Sequence, residues 1–175
     1  SHSDLTDEYA AVRKEMESVA EYLGKSVLRE VDEDEFMKNI ADIRSSCGDR
    51  AVLRAMHFYG DNARVEKQAA ALKAGDFETF KKYIIESGRA SYMYNQNVYS
   101  CKKASEQPVS LALSLSEKLL DGCGAWRVHG GGFAGTIQAF VPLNKLDEYK
   151  DLMEKVFGSG SCYILSVRPV GGVEL

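Results

Sequence analysis

The chain is 175 residues long, with 22 lysines and arginines set against 26 aspartates and glutamates for a formal charge of -4. That length suits one domain or slightly more with a real hydrophobic core, and basic residues scattered among acids form no stripe that would argue for nucleic acid. No apolar run approaches the roughly 20 residues a membrane helix needs, no signal-peptide pattern is read, and Cys47, Cys101, Cys123 and Cys162 have no paired metal-ligand spacing, so a cytoplasmic protein with reduced thiols is expected.

In chain order, Thr6 reads as an N-cap with Asp7 and Glu8 in the first turn, where the helix dipole favours acids. Tyr9, Val12, Met16, Val19 and Leu23 then form one apolar stripe on a helix ending at Gly24. A shorter helix over 32–44 carries Phe36, Ile40 and Ile43. A long one over 50–73 sets Phe58, Val65, Ala69 and Leu72 on one side, with Gly75 as its stop. Asp76 caps the next helix, in which Phe77, Phe80, Tyr83 and Ile84 face inward until Gly88 ends it. Over 89–107 the signal weakens into a polar connection bearing Tyr92, Tyr94 and Tyr99, read as a plain connector in preference to a buried loop that lines something. Pro108 opens a helix that stops at Gly122 or Gly124.

Ala125 to His129 and Thr136 to Val141 alternate like half-buried strands around Gly130-Gly131-Gly132-Phe133-Ala134-Gly135. Four of these six positions are glycine, which frees φ and removes side chains that would keep a ligand off the backbone. Two readings of the loop stand side by side: a glycine-rich hairpin that only solves a turning problem, or a nest of N–H groups converging on an anion. No Gly-Lys-Ser/Thr follows, which excludes a P-loop, and the segment after the loop reads as strand where a dinucleotide-binding fingerprint would open a helix. Beyond the hairpin, Asn144 caps a helix with Leu146, Tyr149, Met153 and Val156 on its stripe, Gly158 ends it, and Cys162 to Arg168 reads as a last strand. The fold class is α+β: a mainly helical part over 1–100, then over 101–175 five of the six elements of a ferredoxin-like split βαβ layer. The missing strand is expected either within 89–107 or upstream of Ser1, the second making the chain a fragment.

The residues also carry a family resemblance. Arg127-Val128-His129 followed by the glycine loop resembles the Arg-Met-Thr-Gly-Gly-Gly-Phe-Gly-Gly signature of the kinase superfamily that includes galactokinase, homoserine kinase and mevalonate kinase. Arg54-Ala55-Met56-His57-Phe58 with Asn62-Ala63-Arg64-Val65, Leu72 to Phe77, Glu86-Ser87, Tyr22 to Lys25 with Leu28 to Val31, and the final Gly171-Gly172-Val173 resemble galactokinase segments in the same order. The opening Ser1-His2-Ser3-Asp4-Leu5 resembles the middle of a galactokinase, which places 1–175 as a C-terminal domain lacking the N-terminal sugar motif and phosphate loop.

The resemblance implies a sugar kinase that uses ATP and Mg²⁺ to phosphorylate the anomeric hydroxyl of galactose, with its catalytic residues in the other half and no metal ligand in this one. It implies that Tyr9 contacts the sugar and that Gly130, Gly131, Gly132, Phe133, Ala134 and Gly135, with His129 beside them, help close the site around sugar and phosphates. The implied partners are galactose, ATP and the missing N-terminal half, with no nucleic acid or membrane. His129 stands where the family has Thr, Ala134 where it has Gly, and Gly88 where it has His, departures that bear on substrate preference. Two other readings stay open: a galactokinase-like sensor that binds ATP and galactose without turnover, and a free-standing ferredoxin-like ligand-binding module.

Overall fold

A computed structural model describes residues 5–166. The chain divides into two compact units, Ser1–Val141 and Pro142–Leu175. The first begins with α1 (Thr6–Tyr22), a 3₁₀ turn (Leu28–Glu30), α2 (Glu33–Lys38), α3 (Ile40–Cys47) and the long α4 (Asp49–Lys73). It continues with α5 (Phe77–Ala90), a π-helical turn (Ser91–Asn95), a 3₁₀ turn (Cys101–Lys103), α6 (Pro108–Leu120) and the hairpin β1 (Ala125–His129) and β2 (Thr136–Phe140).

The first helices close over one apolar cluster containing Val19, Leu28, Phe36, Ile43, Val52 and Tyr59. Phe36 is 1% exposed, and burying such a ring stabilises by roughly 1.5–3 kcal/mol. A second, smaller cluster joins Ala71, Phe80 and Ile84 to Ala125 of β1, with Phe140 of β2 packed against it. The sheet therefore rests on α5. Phe80 and Phe140 meet edge to face at 5.4 Å between ring centres.

Several expectations change in detail. Thr6 is the first residue of α1, not its cap, and Leu5 before it makes no side-chain cap bond. The helix expected over 32–44 is two, parted at Asn39, with the Asp32 carboxylate accepting from Asp34 N–H. α4 buries Ala51, Val52, Ala55 and Tyr59, whereas Val65 and Leu72 are exposed; small residues let α4 lie close to α1, and that outweighs the larger side chains farther along. Asp76 caps α5 as expected, its carboxylate accepting from Thr79 N–H at 3.0 Å. Gly88 does not stop that helix. It lies buried within α5 against β1, where a Cβ would stand 2.9 Å from Arg127 Cβ. Nor is 89–107 a plain connector: it holds the π turn and a 3₁₀ turn, contains no strand, and buries Asn95, Asn97 and Val98.

The second unit holds a 3₁₀ turn (Leu143–Lys145) and α7 (Leu146–Phe157), so Asn144 sits inside the turn and makes no side-chain cap bond. Tyr149 and Met153 of the expected stripe are buried. Of the last strand expected from Cys162 to Arg168, residues 162–166 join no ladder, because a strand requires a partner and none pairs with them among the described residues. Arg168, the final Gly171-Gly172-Val173, and Ser1 to Asp4 with His2 lie outside the described residues. The two-stranded antiparallel sheet among many helices is compatible with the α+β class. No helix among the described residues is long and apolar enough to cross a membrane.

Candidate functional site

β1 and β2 pair antiparallel with Ala125 opposite Phe140 and His129 opposite Thr136, so residues 130–135 form the hairpin loop. Gly132 and Phe133 are buried and face the body of the unit, while His129, Gly130 and Gly131 form an exposed crest. Two groups from elsewhere hold the buried side. From α1, the Tyr9 hydroxyl donates to the Gly132 carbonyl at 2.8 Å, and Ala134 N–H approaches the same hydroxyl at 3.5 Å. The Tyr9 and Phe133 rings meet edge to face, 5.1 Å apart and 83° between planes.

From the segment after α5, the Asn97 carbonyl accepts from Phe133 N–H at 2.7 Å, and the Asn97 side-chain amide donates to the Gly131 carbonyl at 3.3 Å. The approach is so close that a Cβ on Gly132 would stand 1.8 Å from the Asn97 carbonyl oxygen. With φ of +81° as well, position 132 is closed to side-chain-bearing residues on two independent grounds. Among the described residues only Gln96 and Phe133 are non-glycine residues with positive φ, each at 54°. Phe133 donates the Asn97–Phe133 bond, and Gln96 immediately precedes its acceptor residue. A left-handed residue with a side chain costs roughly 1–2 kcal/mol, and such strain persists only where the surroundings hold it.

The loop is therefore more than a turn and less than a full anion nest. Phe133 and Gly135 N–H are engaged internally, the latter by the Gly132 carbonyl at 2.9 Å, and Ala134 N–H leans on Tyr9. The N–H groups of Gly130, Gly131 and Gly132 donate to nothing outside the β1–β2 ladder among the described residues. Anion-binding capacity is thus confined to the first half of the loop. A cleft of about 530 Å³ opens beside it, walled by Tyr9, Val12, Met16, Phe58 and Gly131. Among the described residues no group of three or more His, Cys, Asp or Glu could hold a metal ion. His57 is buried in α4 with Nε2 4.0 Å from the Asp61 carboxylate.

Asn97, Gln96 and Arg54 escape the motif reading of the site. Arg54 lay within a motif that carried the resemblance, and the polar run Asn95-Gln96-Asn97 among tyrosines is the signal that marks the strap over 91–103. Human galactokinase is 31% identical to the chain over 174 residues, which cover 99% of this chain and 41% of that protein. The chain is similar to human galactokinase along nearly its whole length. Galactokinases of Mannheimia succiniciproducens and Glaesserella parasuis match over 152 residues each, at 26% and 27% identity, covering 87% of this chain and 37% and 38% of theirs. The chain thus spans about two fifths of the length of the curated galactokinases it matches, and these matches support a galactokinase C-terminal domain. No family model matches the chain.

Proposed function

We propose that this chain is the C-terminal part of an ATP-dependent galactokinase, which transfers the γ-phosphoryl group of ATP to the anomeric hydroxyl of galactose. The observation that carries the reading is the pre-built glycine loop, strained at Phe133 and clamped by Tyr9 and Asn97, in a chain similar to galactokinases. Phosphoryl transfer depends mainly on positioning and on fixed donors that meet developing charge, so a loop already rigid before substrate arrives suits it. The exposed N–H groups of Gly130 and Gly131 would face the phosphates or the phosphate loop of the N-terminal half, with His129 at the edge. Tyr9 would meet the sugar across the cleft. Its proton is directed at Gly132, so its hydroxyl would act as acceptor for a sugar hydroxyl.

Mg²⁺ bound with the nucleotide would offset phosphate charge, and its ligands would come from outside the described residues. The catalytic groups would likewise lie in the N-terminal half, with 1–175 acting as one C-terminal domain in the cytoplasm. A strand supplied from that half would complete a ferredoxin-like layer beside β1 and β2.

Galactose-dependent ADP formation tests the reading, measured on the chain alone and on a polypeptide joining the N-terminal remainder of human galactokinase to it. No turnover is expected from the chain alone, and galactose phosphorylation from the joined polypeptide. Turnover by the chain alone would show that this half is sufficient. A folded joined polypeptide that binds neither ATP nor galactose would overturn the assignment.

A further inference from the structure

Arg54 is the largest fully buried side chain among the described residues. Burial pushes its pKa below the ordinary arginine value, and the Glu15 carboxylate counters that shift. Its Nη1 donates to Glu15 Oε2 on α1 at 2.8 Å, and its Nε donates to the Asn95 carbonyl at 3.0 Å. A guanidinium is a rigid planar fork, so these two bonds fix α1 and the Asn95 carbonyl relative to each other. Asn95 ends the π turn, Gln96 follows in the left-handed conformation, and Asn97 comes next with the carbonyl that holds Phe133 N–H.

We propose that Arg54 is a positioning residue for the glycine loop, acting through Asn95, Gln96 and Asn97. It makes no hydrogen bond to the loop itself. The competing account is an ion pair that only fastens α4 to α1. A buried ion pair is a poor source of stability, since desolvation offsets its attraction and well-packed apolar residues often serve as well. Here Arg54 Nη2, Asn95 Oδ1 and Asn97 Oδ1 are all buried without a partner. Packing alone would not favour that arrangement, whereas fixing one carbonyl in place requires the fork. The same strap is tied to the start of α1 a second time, by Ser100 Oγ donating to Glu8 at 2.7 Å. Tyr9 and Asn97, the two groups that grip the loop, are thereby held in register.

The inference rests on the kinase reading only for its catalytic consequence; the loop geometry stands on the structure of this chain. The experiment compares amide hydrogen exchange in the chain with that in Arg54→Lys, a change that keeps a charge for Glu15 and removes the fork. Phe133 N–H is expected to exchange at least tenfold faster, while Ile84 N–H in α5 stays within twofold. Unchanged Phe133 exchange in a folded variant, or equal acceleration at Phe133 and Ile84, would overturn the proposal in favour of a purely structural ion pair. Should Arg54→Lys not fold, Glu15→Gln loosens Arg54 at its α1 end: threefold faster exchange confined to Phe133 supports the proposal, and no change overturns it. In the joined polypeptide, Arg54→Lys is expected to lower kcat with the galactose KM little altered. Loss of Phe133 protection with kcat unchanged supports the positioning role and counts only against a part for the loop in turnover, whereas a joined polypeptide with no turnover at all counts against the kinase reading and leaves the exchange result standing.

Discussion

The helix α1 has two neighbourhoods built on different physics. Toward its C-terminal end Val19 and Ala20 are fully buried in the cluster with Phe36, Ile43 and Tyr59, where contacts are mainly apolar and no single direction matters much. Nearer its N-terminus, Tyr9 and Glu15 enter a polar seam with Arg54, Asn97 and the glycine loop, where directed bonds dominate and the backbone approaches within the width of a methyl group. Three of the four buried side-chain polar atoms without a partner among the described residues lie on Arg54, Asn95 and Asn97. The cluster secures the fold, and the seam fixes a shape at some cost in stability.

Breaking either side separately sharpens that contrast. Phe36→Ala empties a fully buried ring site, and chemical denaturation is expected to show a loss of about 3–5 kcal/mol in global stability. Gly132→Ala meets the Asn97 carbonyl and a positive φ together, at a local cost of about 3 kcal/mol. The expected outcome is a loop released from Tyr9 and Asn97, seen as lost contacts of the Phe133 ring in NMR, with the melting transition of the helices largely kept. Gly24→Ala shares the positive φ but has nothing within 4 Å, so a cost of about 1 kcal/mol with an unaltered loop is the control.

Tyr9→Phe removes the bond to Gly132 while keeping the ring against Phe133, and a loss of about 0.5–1.5 kcal/mol in loop stability is expected. In a joined, active polypeptide the same change tests the sugar contact through the galactose KM. The mildest perturbation is pH. His57 is held below the ordinary histidine value by burial foremost; Arg64 and Arg127 add to this and the Asp61 carboxylate opposes it. The folded chain thus takes up this proton less readily than the unfolded one, so the His57 contribution is complete above pH 6.5 and falls as pH drops through the lower folded value. His57→Gln is expected to flatten that acid-side slope in thermal melts.

What the sequence revealed follows the same division. Periodicity exposed the stripe on α1, the Asp76 cap, the Pro108 start of α6 and the hairpin around 130–135, because each depends on a local pattern of side chains. Periodicity misjudged α4, since Val65 and Leu72 look like core but the close approach to α1 is made by Ala51 and Ala55. The grip on the loop was invisible for a deeper reason. It is made by the Asn97 carbonyl, a group every residue possesses, delivered by a left-handed Gln96 and an arginine 41 positions earlier than Asn95. Gly88 was misread similarly, as a helix stop, when its role is to let α5 touch β1. The family resemblance supplied the loop's setting but not the residues that hold it.

The account stands on a loop that this chain builds by itself. Its most direct test is the scalar coupling across the hydrogen bond from Phe133 N–H to the Asn97 carbonyl, measured by NMR on the chain with neither sugar nor nucleotide present. A detectable coupling together with slow exchange of the Phe133 amide is the expected result. No coupling, with that amide exchanging at the rate of an unprotected chain, would contradict it and leave the loop to be formed only when a binding partner or ligand arrives.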